Sequence, residues 1–208
     1  MDMNASYDRL IKTVFPNAQV VYDRFYIVKH LNDTLNYVRI KVYNQLRHGN
    51  RQEQKQARRL KHYWRLFLQD EKHLNQHPYY EGRYFHQIVN SLTILNLLLQ
   101  YNEELAATYS YIHLLKRAYN HRDYSNFFHL LKLTPAGVSA QTAHRCHHLL
   151  HYRAGIELGF KKKRFSNGRT EGINNRIKMI KRVAFGYRCF ETFRARIYLI
   201  IGKQICQN

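Results

Sequence analysis

Between Ser166 and Phe190 the sequence reads SNGRTEGINNRIKMIKRVAFGYRCF, with one carboxylate, Glu171, set among Lys, Arg and Asn. On a helix starting near Thr170, at ~100° per residue, Glu171, Asn175, Lys178 and Arg182 share a narrow polar arc, and Ile173, Ile177, Ile180 and Ala184 lie opposite. An acid, an amide and two bases side by side suit a divalent cation held next to a phosphate backbone. The carboxylate offers hard oxygen, and the bases neutralise phosphate. The plainer reading is that a glutamate in the first turn complements the helix dipole and pairs with a nearby cation. Ser166, Asn167 and Thr170 can all cap the start, and Gly168 and Gly172 leave room for a backbone or a phosphate.

Two further acids stand near the start of the chain. Asp23 ends the run AQVVYD, and Asp2 directly precedes a helical pattern. With one more strand before it, Asp2 would sit at a strand's carboxyl end, where α/β sheets hold ligands. Either acid can equally cap the helix that follows it.

The elements that must position these groups are mostly helical. Tyr7, Leu10, Ile11, Val14 and Phe15 repeat with helical spacing until FPN breaks the pattern. AQVVYD is the one convincing strand, so this chain cannot complete a sheet by itself. A long helix follows, with Val28, Leu31, Leu35, Val38, Val42 and Leu46 on a heptad-like seam, and RHGN ends it. The middle reads as helical throughout. Leu60, Tyr63, Trp64, Phe67 and Leu68 mark one helix, with Trp64 expected in the core. Tyr84, Phe85, Ile88, Leu92, Leu95 and Leu99 mark another, Tyr109, Ile112 and Tyr119 a third, and Phe127, Leu130 and Leu131 a shorter piece. LTPAG predicts a helix start with Thr134 as cap and Pro135 in the first turn. Phe190, Phe193, Ile197 and Ile200 mark the last helix. The expected fold class is mainly α.

Composition narrows the partner. With 34 Lys and Arg against 14 Asp and Glu, the chain carries a formal charge of +20, spread along its length. Such a chain attracts polyanions, nucleic acid first among them. Apolar stretches such as LNLLLQY and IYLIIG fall short of the ~20 residues that span a bilayer, so no membrane is expected. The cysteines, Cys146, Cys189 and Cys206, are odd in number and scattered, which points to a reducing cytosol. Lys161, Lys162, Lys163 and Arg164 form a basic run between aromatics just before the glutamate motif and are read as phosphate contacts. AHRCHHLLHYR sets His144, His147, His148 and His151 at helical spacing, read as a surface more than as a metal site. RQEQKQARRLKHYWRLF is a basic helix with aromatics on its inner face, and Tyr187 with Arg188 is read as packing more than as a base-stacking pair.

DMNASYDRLIKTVFPNAQVVYDRFYIVKHLN and SNGRTEGINNRIKMIKRVAFGYRCFETFRARI together resemble the transposases of ISL-three-type bacterial insertion sequences, over nearly the whole chain but only the later part of such a protein. The resemblance implies a DDE transposase with an RNase H-like core, in which three acids hold two divalent ions, usually Mg2+. It matches Glu171 in TEGINN to the last acid and Asp2 in DMNASY to the middle one, with Asp23 in DRF as a supporting or alternative acid. Metal ligands would then be Asp2 and Glu171. Arg169, Asn175, Lys178 and Arg182 would join the 161–164 run in contacting DNA. The implied organisation is a residual part of the RNase H-like core at 1–30, an α-helical insertion at 31–158, and core helices with the last acid at 159–208. DNA, both transposon ends and target, is the implied partner, with a homo-oligomer in the intact family and a bacterial cytoplasmic, nucleoid-associated location.

Departures qualify that picture. The family's first aspartate and its N-terminal DNA-binding regions would lie before Met1, no C-x-x-C pair occurs, and Tyr26 stands where the family commonly has histidine. The expectation is therefore the C-terminal part of a transposase, without strand transfer of its own, and with the AQVVYD edge unpaired and its apolar face exposed. The alternatives are a non-catalytic, basic helical DNA-binding module and a nuclease using Asp2, Asp23 and Glu171 alone.

Overall fold

Six of the described helices begin where a short polar side chain accepts from a free N–H. In the computed structural model, which describes residues 10–11, 13–75, 77–161 and 168–202, Asp23, Asn50, Asn90, Asn102, Asp123 and Ser139 all do so. The chain divides into two compact units, residues 2–163 and residues 164–208.

The larger unit opens on the end of a first helix, α1, described at positions 10, 11, 13 and 14. The break at FPN is a turn in which Ala18 N–H donates to Phe15 C=O at 2.9 Å. α2 (Arg24–Leu46) follows, then α3 (Arg51–His62), a 3-10 turn at Trp64–Leu68 and α4 (Glu71–Asn75). Strands β1 (Tyr80–Glu81) and β2 (Ile88–Val89) form an antiparallel hairpin with Tyr80 opposite Val89. Helices α5 (Ser91–Leu99), α6 (Glu103–Asn120), α7 (Tyr124–Lys132) and α8 (Ala140–His147), a 3-10 turn at His148–Tyr152 and α9 (Arg153–Lys161) complete it. The chain is mainly helical.

α2 buries Ile27, Leu31, Leu35, Val38 and Val42 on one seam, and α6 buries Leu105, Tyr109, Ile112 and Leu115. These two helices pack on each other, α2 also touching α3 and α8. The seam thus starts at Ile27, with Val28 only half-buried. Lys41 Nζ bonds Glu104 at 2.8 Å across the joint. Burial pushes the Glu104 carboxyl up, but the hydrogen bond from Lys41 and one from Ser139 outweigh it and hold the group below its ordinary value.

Four expectations need correction. AQVVYD, expected as a strand, forms none. Its apolar side is not left open either, because Tyr22 is buried and meets Tyr152 edge-on at 5.0 Å. The helix expected over 84–99 starts only at Ser91, where Asn90 accepts from Thr93 N–H, and Tyr84, Phe85 and Ile88 belong to the hairpin. Thr134 and Pro135 do not start a helix. Val138 N–H bonds Pro135 C=O at 3.2 Å in a turn where Gly137 has φ +82, and Ser139 caps α8 instead. Trp64 is not core: α3 stops at His62, and the indole is 37% exposed with Arg65 over its ring.

Glycine explains how Tyr22 is seated. A Cβ on Gly155 would lie 2.5 Å from the Tyr22 ring and 2.8 Å from Val20 O, and one on Gly159 would lie 3.4 Å from Tyr22 O. The 20–22 segment therefore crosses α9 at a glycine gap centred on Gly155, with Gly159 in ordinary contact one turn on.

The smaller unit holds α10 (Gly168–Val183), α11 (Phe190–Ile197) and a wide turn at Tyr198–Gly202. Gly186, at φ +105, ends α10 by donating its N–H to Lys181 O at 3.1 Å. Ile180 and Ile201 are its buried apolar residues among those described.

Two outcomes follow for stability. Gly155→Ala should lower it by about 1–3 kcal/mol in urea unfolding, although alanine is the better helix former, because Val20 O is backbone and cannot yield. Stability should also fall with acid. Burial holds His113 below its ordinary value, as it does His148, where His30, His151 and His144 add to the effect. Both rings take up a proton less readily folded than unfolded, so stability is full above ~6.5, the unfolded histidine value, and is lost as pH drops from there through the folded values. His113→Gln should flatten the fall in Tm between pH 7.5 and 5.

Candidate functional site

α10 presents the predicted arc as a surface. Glu171 stands in its first turn, and Glu171, Asn175, Lys178 and Arg182 are all exposed. Opposite them Ile180 is buried and Ile177 half-buried, while Ile173 and Ala184 stay exposed. Lys181 and Arg182 end the helix, so the charge order from Glu171 to Arg182 runs with the helix dipole. Among the described residues Glu171 makes no ion pair, and a Cβ on the adjacent Gly172 would meet nothing within 4 Å. The flank beside the carboxylate is open. An exposed carboxylate with oxygens uncommitted to a described cation fits a hard divalent ion as one ligand. It does not complete a site, since no group of three or more His, Cys, Asp or Glu lies together among the described residues.

Asp23 belongs to the larger unit, where its carboxylate accepts from Phe25 N–H at 2.9 Å and caps α2. Beside it, Tyr26 donates its N–H to Asp23 O at 3.1 Å, and its ring meets Phe25 edge-on at 5.3 Å. Lys161 ends α9 in an i, i+4 pair with Glu157 at 3.1 Å. Arg169 lies within the first turn of α10. Asp2, Lys162, Lys163 and Arg164 lie outside the described residues. The structure thus groups Glu171, Asn175, Lys178 and Arg182 on one helix face, with Asp23 and Lys161 in the other unit.

The histidines fall differently from a single helical face. α8 gives way to a 3-10 turn at His148, which stacks on His30 of α2 at 5.9 Å, while His30 Nε2 bonds Arg145 O at 2.7 Å. Neither His30 nor the glycine gap was singled out from sequence, and only the A-G-I-E-L-G spacing could have signalled the latter. Tyr187 packs on Phe193 at 4.9 Å, which supports the packing reading of that pair.

A sequence model of ISL-three-type (ISL3) DDE transposases, described simply as a transposase, matches residues 1–197. The chain belongs to this transposase family. It is 30% identical over 205 residues to the transposase for insertion sequence element IS1001 of Bordetella parapertussis, a match covering 95% of this chain and 45% of that protein. It is also 31% identical over 134 residues to a Lactococcus lactis subsp. lactis protein named an ATP-dependent protease, covering 62% of this chain and 42% of that one. The chain carries no G-x-x-x-x-G-K-[ST] run, so the segment shared with the latter is not a nucleotide-binding loop of that kind. No solved structure matches at a significant level. The chain spans less than half the length of these curated relatives. No described helix is long and apolar enough to cross a membrane.

As the cap of α2, Asp23 should cost about 1 kcal/mol in thermal unfolding when changed to Ala, and far less when changed to Asn, which caps equally well.

Proposed function

We propose that this chain supplies the last acid and the DNA-gripping helix of a DDE transposase that cuts and joins DNA strands at the ends of an insertion sequence. Membership of the family supports this reading, and one observation carries it: α10 sets Glu171, Asn175, Lys178 and Arg182 on a single exposed arc, with the acid's flank open. In this reading Lys178 and Arg182 hold the phosphodiester backbone against the helix, with Asn175 donating to a phosphate oxygen between them and the acid. Arg169 and the 161–164 run extend the grip.

Glu171, with Asp2 or alternatively Asp23, would be the ligands of a divalent pair, Mg2+ by the hardness of their oxygens. When bound, such ions activate the attacking oxygen and stabilise the leaving one. Two carboxylates are too few for that pair, so the chain by itself should bind DNA without cutting it. In this proposal a further acid and the strands of an RNase H-like core come from the part of the relatives that these 208 residues do not span. Residues 1–30 and 159–208 belong to that core and 31–158 to a helical insertion. The exposed apolar side chains of the smaller unit, Met179, Val183, Phe190 and Leu199, are what a core helix pair offers a sheet.

The test joins the N-terminal portion of a family member to this chain. Glu171→Gln should reduce Mg2+-dependent cleavage of transposon ends by ~10³-fold or more while DNA affinity holds. Cleavage at the wild-type rate would remove Glu171 from the site. Asp2→Asn and Asp23→Asn in the same protein assign the second acid, since only the ligand's variant should lose cleavage.

A further inference from the structure

α3 carries a second cationic face, far along the chain from the motif around Glu171. Arg51, Lys55, Arg58 and His62 recur at i, i+4, i+7 and i+11, and all four are exposed. At 1.5 Å per residue they line a stripe ~16 Å long. Ala57 and Leu60 are buried on the opposite side. The one acid of the helix, Glu53, is turned back into a capping box, accepting from Asn50 N–H at 2.7 Å. Among the described residues, none of Arg51, Lys55 and Arg58 pairs with a carboxylate.

The hairpin tip completes a cleft on this stripe. Arg59 donates twice to Tyr84 O, at 3.1 and 2.8 Å, and once to Tyr101 Oη at 3.0 Å, and its guanidinium lies 4.3 Å from the Phe85 ring centre. These acceptors are neutral, so Arg59 pins the loop to α3 and keeps its full positive charge. Lys55, Arg58, Arg59, Tyr84 and His86 enclose about 200 Å³ with no acid in the wall. That is below the ~300–1,000 Å³ of pockets that take drug-sized ligands, and it suits a single anionic group. An open row of cations running out of such a cleft suits a chain of anions in place of a lone one.

We propose that the α3 stripe and the tip of the hairpin are a second DNA contact, with one backbone phosphate seated in the cleft between Lys55, Arg58 and His86 and neighbouring phosphates along Arg51 and His62. The ligand is the phosphodiester backbone of duplex DNA: the Lys and Arg side chains pair with phosphate, and the imidazoles and the phenol donate to its oxygens. Duplex DNA, with one charge per ~1.7 Å of axis, offers several phosphates over the length of the stripe. This inference rests on the reading of the chain as a DNA-binding part of a transposase, and it enlarges the DNA-bound surface to include the helical body.

The experiment measures binding of a 30-base-pair duplex by the full 208-residue chain over a salt series. Lys55→Ala/Arg58→Ala should reduce the slope of log affinity against log salt by roughly 2, at ~0.9 for each phosphate no longer neutralised, and lower affinity at least tenfold at 0.1 M salt. Lys29→Ala/Lys132→Ala, two exposed cations elsewhere on the same unit, makes the same change in charge and should leave the slope nearly unchanged. Both pairs are exposed, so circular dichroism should report one Tm for all three proteins. Equal losses from the two variants would mean that net charge alone binds DNA, which overturns the site. An unchanged slope for Lys55→Ala/Arg58→Ala in a chain that still binds overturns the site and spares the broader reading. Absence of binding by the unaltered chain overturns both. Tighter binding of duplex RNA than of DNA would overturn the choice of ligand.

Discussion

Tyr22 occupies a space that exists only because residue 155 has no side chain. The ring and the Val20 carbonyl pass over α9 at a distance that any Cβ on Gly155 would close. One residue later Asp23 caps α2, so this crossing sets where the longest described helix begins and in which direction it leaves. The Ile27–Val42 seam, its packing on α6 and the ion pair of Lys41 with Glu104 all follow from that start. The DRF acid is thereby held at a fixed point of the helical body by packing of bulky side chains against backbone. Burying the phenol edge-on against Tyr152 adds the area and quadrupole terms of an aromatic pair.

Electrostatics shape the rest of the larger unit. With 34 basic and 14 acidic residues, most cations cannot find a carboxylate. The interior solves this with carbonyls. Arg39 is buried and donates to Leu60 O at 3.1 Å, Lys116 to Leu68 O at 2.8 Å, and Arg59 to Tyr84 O. Burial lowers both the Arg39 and the Lys116 value. Acceptors at the ends of helices and turns carry partial negative charge and lack intrahelical partners, so they stabilise a cation without cancelling it. The folded chain therefore keeps nearly its whole positive charge for a polyanion.

The smaller unit follows another logic. Its helices bury little, and its acid and bases are spread along the open face of α10. In the proposed function the apolar residues pack on a sheet and the arc holds a nucleic-acid backbone. A chain spanning less than half of its curated relatives is consistent with such a division of labour.

Sequence alone determined the helices with strong local signals. The seam through Leu31, Leu35, Val38 and Val42 follows from period, the break at FPN from proline and a turn, and α10 with its Glu171 arc from spacing. The family, too, was legible, because two motifs at opposite ends of the chain carry it. The tertiary structure decided what depends on distant partners. Tyr84, Phe85 and Ile88 keep helical spacing with Leu92 and Leu95, yet Arg59 bonds Tyr84 O from another helix and holds them in a hairpin. Trp64 follows an amphipathic run, but the switch to 3-10 geometry after His62 rotates it outward. Likewise, His148 departs from the spacing of its neighbours to stack on His30, a residue over a hundred positions away. Period and capping are written within a turn or two of chain, whereas a hydrogen bond or ring contact between remote segments is fixed only when the packed core brings them together.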